Sequence, residues 1–369
     1  MDSGKVPVSS HRTVKPGLTL IVMVKNDPER LRRCLQSAMP YADQTIVQDT
    51  GSSDNTVEVA RECGAQVVVY PWPGAFDDAL NNLIAQVQTE WTLRLDSDEW
   101  LDPGQEAVVE AVTSRDDILM ANVVRHDYGP EGDYATIFQA RLWRTDPRMR
   151  VRGVIHEQFW PDILDAAADG RIVVNSELIV HHDGYASTEL RAEKMRRNLA
   201  LIERELEVRP DQLFYEVCRA DTLIDLGDPE GPERADEIIH RFVRTNTLPS
   251  EANVAILFYK RIVGASDEEI FSPRIGKMAR FARQSFFMYP AVMWALSGLE
   301  VRKGNLREAM EIMIQLDHFV ESGSLNFNLN VNPIMAYQGC WNSIVEFAEQ
   351  LGRRDLVAHY QAKLAQAPS

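Results

Sequence analysis

The chain predicts an α/β domain built on a parallel sheet, followed by an all-helical region. Three observations carry this reading. Short apolar runs alternate with helical patterns up to about residue 130. Polar clusters stand at the ends of three of those runs. From Thr188 onward the pattern is helical almost throughout.

The elements follow in order. Leu18–Val24 is an apolar run interrupted only by Thr19, as expected of a strand buried on both faces. Asp27-Pro28 opens a helix, with Asp at the N-cap and Pro at the first helical position, and Leu31, Leu35 and Ala38 recur at helical spacing. Thr45–Gln48 is a second strand ending at Asp49. Ser53 or Asp54 caps the next helix, which carries Val57, Val59 and Ala60 and stops near Gly64. Ala65–Tyr70 is a third strand, Phe76–Val87 a third helix, and Trp91–Leu95 a fourth strand running into Asp96-Ser97-Asp98-Glu99. Four further strands are expected at Ile118–Val124, Thr136–Arg144, Val151–Trp160 and Arg171–Val180, extending the sheet or forming a second one. Pro290–Leu316 reads as helix, Gly304-Asn305 turn and helix, with Trp294, Gly298 and Ala309 close to a tetratricopeptide pattern. Phe214–Gly227 and Arg234–Val243 read as a degenerate copy. The expected divisions are a polar disordered leader at 1–17, an α/β domain at 18–187 and a helical repeat-like domain at 188–369.

Composition narrows the class. The chain has 369 residues, average hydrophobic content and a net charge of −16, which opposes general nucleic-acid binding. No apolar run approaches the roughly 18 residues of a membrane span, and the N-terminus lacks the apolar stretch of a signal peptide. Cys34, Cys63, Cys218 and Cys340 are scattered without a Cys-x-x-Cys, which points to a reducing cytoplasm and away from zinc ribbons and disulfide frameworks. There is no phosphate loop of the Gly-x-x-x-x-Gly-Lys type, no Gly-x-Gly-x-x-Gly after the first strand and no His-Glu-x-x-His.

In an open parallel sheet, ligands bind beyond the carboxyl ends of the strands. Lys25-Asn26-Asp27, Asp49-Thr50-Gly51-Ser52-Ser53-Asp54 and Asp96-Ser97-Asp98 all fall there. In an extended segment Asp96 and Asp98 would face the same way. Such a pair suits a hard divalent cation, which can bridge a diphosphate and neutralise its charge as it leaves. A solvated acidic turn would look the same in isolation, but the position after the fourth strand favours the site. Asp49 has the chemistry to accept hydrogen bonds from a nucleobase imide or ribose hydroxyls.

Leu20-Ile-Val-Met-Val-Lys-Asn26, Asp49-Thr-Gly-Ser-Ser-Asp-Asn-Thr56 and Leu95-Asp-Ser-Asp-Glu99 together resemble family 2 glycosyltransferases of GT-A fold. More narrowly, they resemble the bacterial branch with tetratricopeptide-like helices, which includes S-glycosyltransferases of bacteriocin peptides. The resemblance implies inverting transfer from a nucleotide sugar, most often a UDP-sugar, with Mn²⁺ or Mg²⁺. It implies Asn26 and Asp27 at the base pocket, Asp49 at uracil or ribose, Asp96 near ribose and metal, and Asp98 as principal metal ligand. In Phe76-Asp-Asp-Ala-Leu-Asn81 the final Asn81 matches the family, but Leu80 stands where relatives carry a basic residue. Arg94 is the candidate substitute at the donor phosphates.

Gly153-Val-Ile-His-Glu157 is similar to an element of the same branch. It makes His156 a candidate ligand or phosphate contact and Glu157 the leading general base. Ile179-Val-His-His-Asp-Gly-Tyr185 is similar to its closing element, with His182 a candidate metal or diphosphate contact and Asp183 a second candidate base. Arg141, Arg144, Arg148, Arg150 and Arg152, and Arg191, Lys194, Arg196 and Arg197, are candidate anion contacts, although charge runs are more often solvated faces. Trp72 and Trp100 are candidates for stacking on a sugar, whereas Trp91 reads as core.

The helical region suggests a peptide or protein acceptor, since repeat-like helices offer concave surfaces, or a homodimer interface. Hydroxymethylated DNA bases and a glycan or lipid acceptor are the alternatives within enzymes. A non-catalytic nucleotide-binding scaffold is the alternative outside them.

Overall fold

The computed structural model describes residues 15–129, 134–159, 162–184, 187–321 and 338–366. Residues 1–14 of the expected leader, Trp160 and Tyr185 lie outside the described residues. The chain divides into two compact units. The described residues up to Arg125, with Gln139–Gly184, form the first; His126–Phe138 and the residues from Ser187 onward form the second.

The first unit holds an eight-stranded sheet in the order β3-β2-β1-β4-β7-β6-β8-β5. Strand β1 (Lys15–Val24) pairs in parallel with β2 (Gln44–Asp49) on one side and β4 (Thr89–Asp96) on the other, and β2 pairs in parallel with β3 (Gln66–Val69). Strands β6 (Ile118–Tyr128), β7 (Tyr134–Arg144) and β8 (Ile172–His182) extend this same sheet. Strand β7 runs antiparallel to β4, and the three-residue β5 (Glu99–Leu101) pairs antiparallel with β8.

Alternation along β1 explains why its Leu20–Val24 run is apolar throughout. Leu20 and Val22 pack with Leu31, Cys34 and Leu35 of α1 (Pro28–Ala38). Ile21 packs with Ile46 and with Leu80 and Leu83 of α3 (Phe76–Ile84). The period of two thus feeds two cores, one on each face of the sheet. Helix α2 (Thr56–Glu62) and α4 (Glu106–Thr113) complete the helical cover expected of this topology, and a short α5 (Asp162–Ala167) follows.

Several expectations are corrected. Strand β1 begins at Lys15, three residues into the expected leader, because Lys15 N–H donates to Gln88 C=O at 2.9 Å and the residue pairs with Thr89. Gly17 takes φ +121° there, and a Cβ on it would lie 2.6 Å from Asp43 Oδ2. Asn55 holds the N-cap position of α2, while Asp54 Oδ1 accepts from Thr56 N at 3.0 Å. Within Val151–Trp160 the described part is a loop closed by an Arg152–Gln158 bridge. Its apolar residues mimic a strand, but Gly153 at φ +120° and His156 at φ +55° break the extended backbone. Strand β8 runs two residues past its expected end and so carries both His181 and His182. The sequence reading lacked β5, α4 and α5, all short.

The second unit is helical beyond its 126–138 segment: α6 (Thr188–Val208), α7 (Leu213–Asp225), α8 (Glu230–Thr245), α9 (Val254–Val263), α10 (Pro273–Ser285), α11 (Pro290–Arg302), α12 (Leu306–Glu321), α13 (Cys340–Gln350) and α14 (Arg354–Gln366). Its core runs through Phe258, Phe281, Met293, Leu296, Met313 and Ile344. The α11–α12 pair is the helix–turn–helix anticipated at 290–316: Gly304 turns at φ +79°, and Ser297 Oγ donates to Ala309 C=O at 3.1 Å. Helices α7 and α8 approach closely at Gly231, where a Cβ would lie 2.5 Å from Ile224 N.

Candidate active site

Three strand ends build the site. At the end of β1, Asn26 adopts φ +52°. Its amide N–H donates to Ser52 Oγ and its side-chain Oδ1 accepts from Ser53 N, both at 2.8 Å. The ends of β1 and β2 are thereby joined. Asp27 sits at the N-cap of α1, but its side chain does not cap the helix. Its Oδ2 instead accepts from Ser97 Oγ at 3.0 Å, which joins the ends of β1 and β4. Asp49 is buried, and its carboxylate accepts from Gly51 N and Ser52 N at 3.1 Å. A carboxylate has about four acceptor positions, so capacity remains for a ligand.

The Asp96–Asp98 pair departs from the expected geometry. Strand β4 ends at Asp96, and Ser97-Asp98 forms a turn, so the extended i, i+2 relation does not hold. Asp96 accepts from Arg141 at 2.7 Å and Arg94 at 3.2 Å, while its amide N–H donates to Glu99 Oε2 at 2.9 Å. Burial alone would raise the Asp96 carboxyl. The Arg141 and then the Arg94 guanidinium outweigh it and hold the group well below the usual carboxylate range. Asp98 Oδ2 lies 3.5 Å from His182 Nε2, and both residues are buried. The β5–β8 register brings them together: Glu99 faces His182, and Asp183 N–H donates to Asp98 C=O at 3.3 Å.

A charged network missing from the sequence reading surrounds Asp96. Arg141, 1% exposed, donates to Glu99, 0% exposed, at 2.6 Å. Arg125 lies 3.3 Å from Glu99. Arg94 donates to Glu157 at 2.6 Å. A signal for it did exist: Arg141 lies between apolar strand residues, and a buried arginine there requires a carboxylate partner.

The remaining candidates divide. Glu157 is mostly buried and joins the site through Arg94. His156 is exposed on the 152–158 loop, and among the described residues no group of three or more His, Cys, Asp or Glu side chains is set to hold a metal. Asn81 is a structural clamp: it donates to Val151 C=O at 2.8 Å and accepts from Val151 N at 3.0 Å. Asp183 pairs with Arg33 at 2.8 Å and Arg30 at 3.3 Å on α1. Arg33 lies over the Trp100 ring at 3.8 Å, and Trp100 stacks on His181. Several of the arginines expected as anion contacts are held by local carboxylates. Arg144 pairs with Glu90, Arg148 with Asp146 and Asp169, and Arg152 with Asp162. Trp91 is core, under the Arg144 guanidinium.

Residues 19–163 match Glycosyl transferase family 2. A TPR repeat-containing protein of Synechococcus elongatus is 28% identical over 225 residues, 59% of this chain and 55% of that protein. The SPbeta prophage-derived glycosyltransferase SunS of Bacillus subtilis is 26% identical over 208 residues, 54% of this chain and 48% of that protein. The chain thus spans about half the length of these curated relatives. The solved mannosyltransferase PcManGT of Pyrobaculum calidifontis, in complex with GDP-Man and Mn²⁺, is similar at 15% identity and a TM-score of 0.40, over 76% of this chain and 91% of that one. The match to Glycosyl transferase family 2 thus falls largely within the α/β unit, and a helical region follows it.

Proposed function

We propose that this chain, which carries a family 2 glycosyltransferase domain, is an inverting, metal-dependent glycosyltransferase that moves a sugar from a nucleotide sugar, a UDP-sugar being favoured, to a peptide or protein side chain. One observation carries the reading. The Asn26–Ser52 and Asp27–Ser97 hydrogen bonds tie three strand ends into one polar crevice at the place where this topology binds ligands.

The donor set fits a divalent cation. Asp98 and His182 would hold it through one carboxylate and one imidazole, a mixed pair that suits Mn²⁺. Mn²⁺ or Mg²⁺ bound there supplies charge neutralisation to the departing diphosphate. Asn26, Asp27 and Asp49 border the base and ribose. Asp96, held by Arg141 and Arg94, keeps a fixed negative group beside them. The acceptor nucleophile attacks the anomeric carbon, the bond to the diphosphate breaks with its electron pair, and the acceptor proton passes to Glu157. Arg94 contacts both Asp96 and Glu157. An arriving diphosphate competes for that guanidinium and releases the Glu157 carboxylate for proton transfer. Asp183, ion-paired to two arginines, is the weaker base candidate.

Engagement of Arg144, Arg148 and Arg152 by local carboxylates disfavours a DNA acceptor, and the helical region suits a peptide acceptor. Free thiols at all four cysteines are consistent with a cytoplasmic setting. Among the described residues no helix is long and apolar enough to cross a membrane.

The test is a thermal-shift panel of UDP, GDP, CDP and dTDP with and without Mn²⁺, on wild type and Asp98→Ala. A metal-dependent rise with one nucleotide, lost in the variant, is the expected result. No shift with any of the four would overturn the reading.

A further inference from the structure

The helical unit contains a cleft of about 500 Å³ between α10, α11 and α12, within the size range of small-ligand and side-chain pockets. Ala279, Leu296 and Ile312 give it apolar surface, and Arg280, Arg283, Lys303 and Arg307 give it four cations. Two carboxylates, Glu300 and Glu308, also line it, and both are already engaged. Glu300 accepts from Lys303 and from Asn305, each at 2.8 Å, and Glu308 accepts from Arg283. Arg283 also donates to Gln315 at 3.3 Å. Arg280 and Arg307 have no ion-pair partner among the described residues, and both are exposed. The cleft therefore carries two uncompensated guanidinium groups in a chain whose net charge is −16.

We propose that this cleft docks an acidic, partly apolar stretch of the acceptor peptide. Arg280 and Arg307 take the carboxylates, and the Ala279–Leu296–Ile312 surface takes a neighbouring apolar side chain. Guanidinium groups recognise carboxylates in a planar, bidentate manner. At physiological salt the Debye length is about 8 Å. The local pair therefore dominates at contact, while the overall negative charge gives no long-range attraction. Specificity then comes from the cleft itself. The inference rests on the peptide-acceptor reading and adds the chemistry of the docking segment, at a place assigned no part in sugar transfer.

The experiment uses fluorescence polarisation on the full chain. The probe is a short fluorescein-labelled peptide of alternating Glu and Leu, and its Lys-Leu counterpart is the control. Wild type is expected to bind the acidic peptide and not the basic one, with affinity falling as salt rises. The exposed double variant Arg280→Glu/Arg307→Glu is expected to lose at least about tenfold in affinity, and Arg280→Lys/Arg307→Lys to retain part of it. Nucleotide-induced thermal shifts and sugar-nucleotide hydrolysis are expected to be unchanged in both. Equal binding of the two peptides, no binding by wild type, or full binding by the glutamate variant would each overturn the docking site. Any of these with an intact nucleotide shift removes only the cleft from the account. Loss of that shift in wild type removes the glycosyltransferase reading instead.

Discussion

Arg94 and Glu157 form a 2.6 Å ion pair, and the same Arg94 nitrogen lies 3.2 Å from Asp96. The leading base candidate is thus one guanidinium away from the first carboxylate of the Asp-Ser-Asp turn. The other candidate, Asp183, is held by Arg30 and Arg33 on α1.

That contrast separates the two carboxylates experimentally. Glu157→Gln is expected to lower kcat by about 10²–10⁴ and leave Mn²⁺ and nucleotide binding intact. Asp183→Asn, which loosens the residue beside His182, is expected to weaken Mn²⁺ binding by about 10–100-fold, read by electron paramagnetic resonance. A large kcat loss in Asp183→Asn at unchanged Mn²⁺ affinity would reverse the assignment.

Asp98→Ala removes the buried carboxylate that lies 3.5 Å from His182. The expected outcome is loss of the metal-dependent nucleotide shift, while the metal-free melting temperature holds or rises. A fall in metal-free stability without loss of metal binding would mean the residue serves the fold only.

Arg141→Met strands the fully buried Glu99 without its 2.6 Å partner, leaving Arg125 at 3.3 Å. Removing one member of a buried pair costs about 3–5 kcal/mol. Urea unfolding should show the midpoint falling by a corresponding amount at constant slope. A change within error would show that Arg125 alone compensates Glu99.

Asp96 gives a signed dependence on pH. Its folded carboxyl is depressed, because Arg141 and Arg94 outweigh the effect of burial. The unfolded chain therefore binds the proton first as pH falls. The stabilisation is complete above the ordinary carboxylate range and is lost as pH drops through that range toward the lowered folded value. Melting temperatures from neutral to acid pH should decline less steeply in Asp96→Asn than in wild type.

Gly231→Ala tests the helical unit. A new Cβ would meet backbone atoms of α7, with Ile224 N at 2.5 Å. Backbone cannot rotate aside as a side chain does, so a loss of about 1–3 kcal/mol is expected by chemical denaturation.

The strand–helix alternation through Leu95 was legible because short, largely apolar runs such as Leu20–Val24 alternate with helical patterns such as Leu31, Leu35 and Ala38. The grouping of Asn26, Asp49 and Asp96 followed from topology alone. Three things escaped. Residues 151–159 carry apolar side chains at strand-like positions, but Gly153 and His156 adopt left-handed backbone that side-chain pattern does not encode. Strand β5 has three residues, too few for any period to register. The Arg141–Glu99 pair joins positions 42 residues apart, and charge identity does not specify which partner is chosen. The same limit applies to Asp98 and His182, whose meeting depends on the antiparallel register of β5 with β8.

That register also orders events during synthesis. Asp98 leaves the ribosome well before His182, because β6 and β7 and the loop that carries Glu157 are made between them. At roughly 5–20 residues per second, seconds pass between synthesis of the β1, β2 and β4 strand ends and synthesis of the second candidate metal donor. Strand β5 has nothing to pair with until β8 arrives, so Asp98 and His182 come together in a single late step. A fragment ending before β8 would retain Asn26, Asp27 and Asp49 but lack the imidazole.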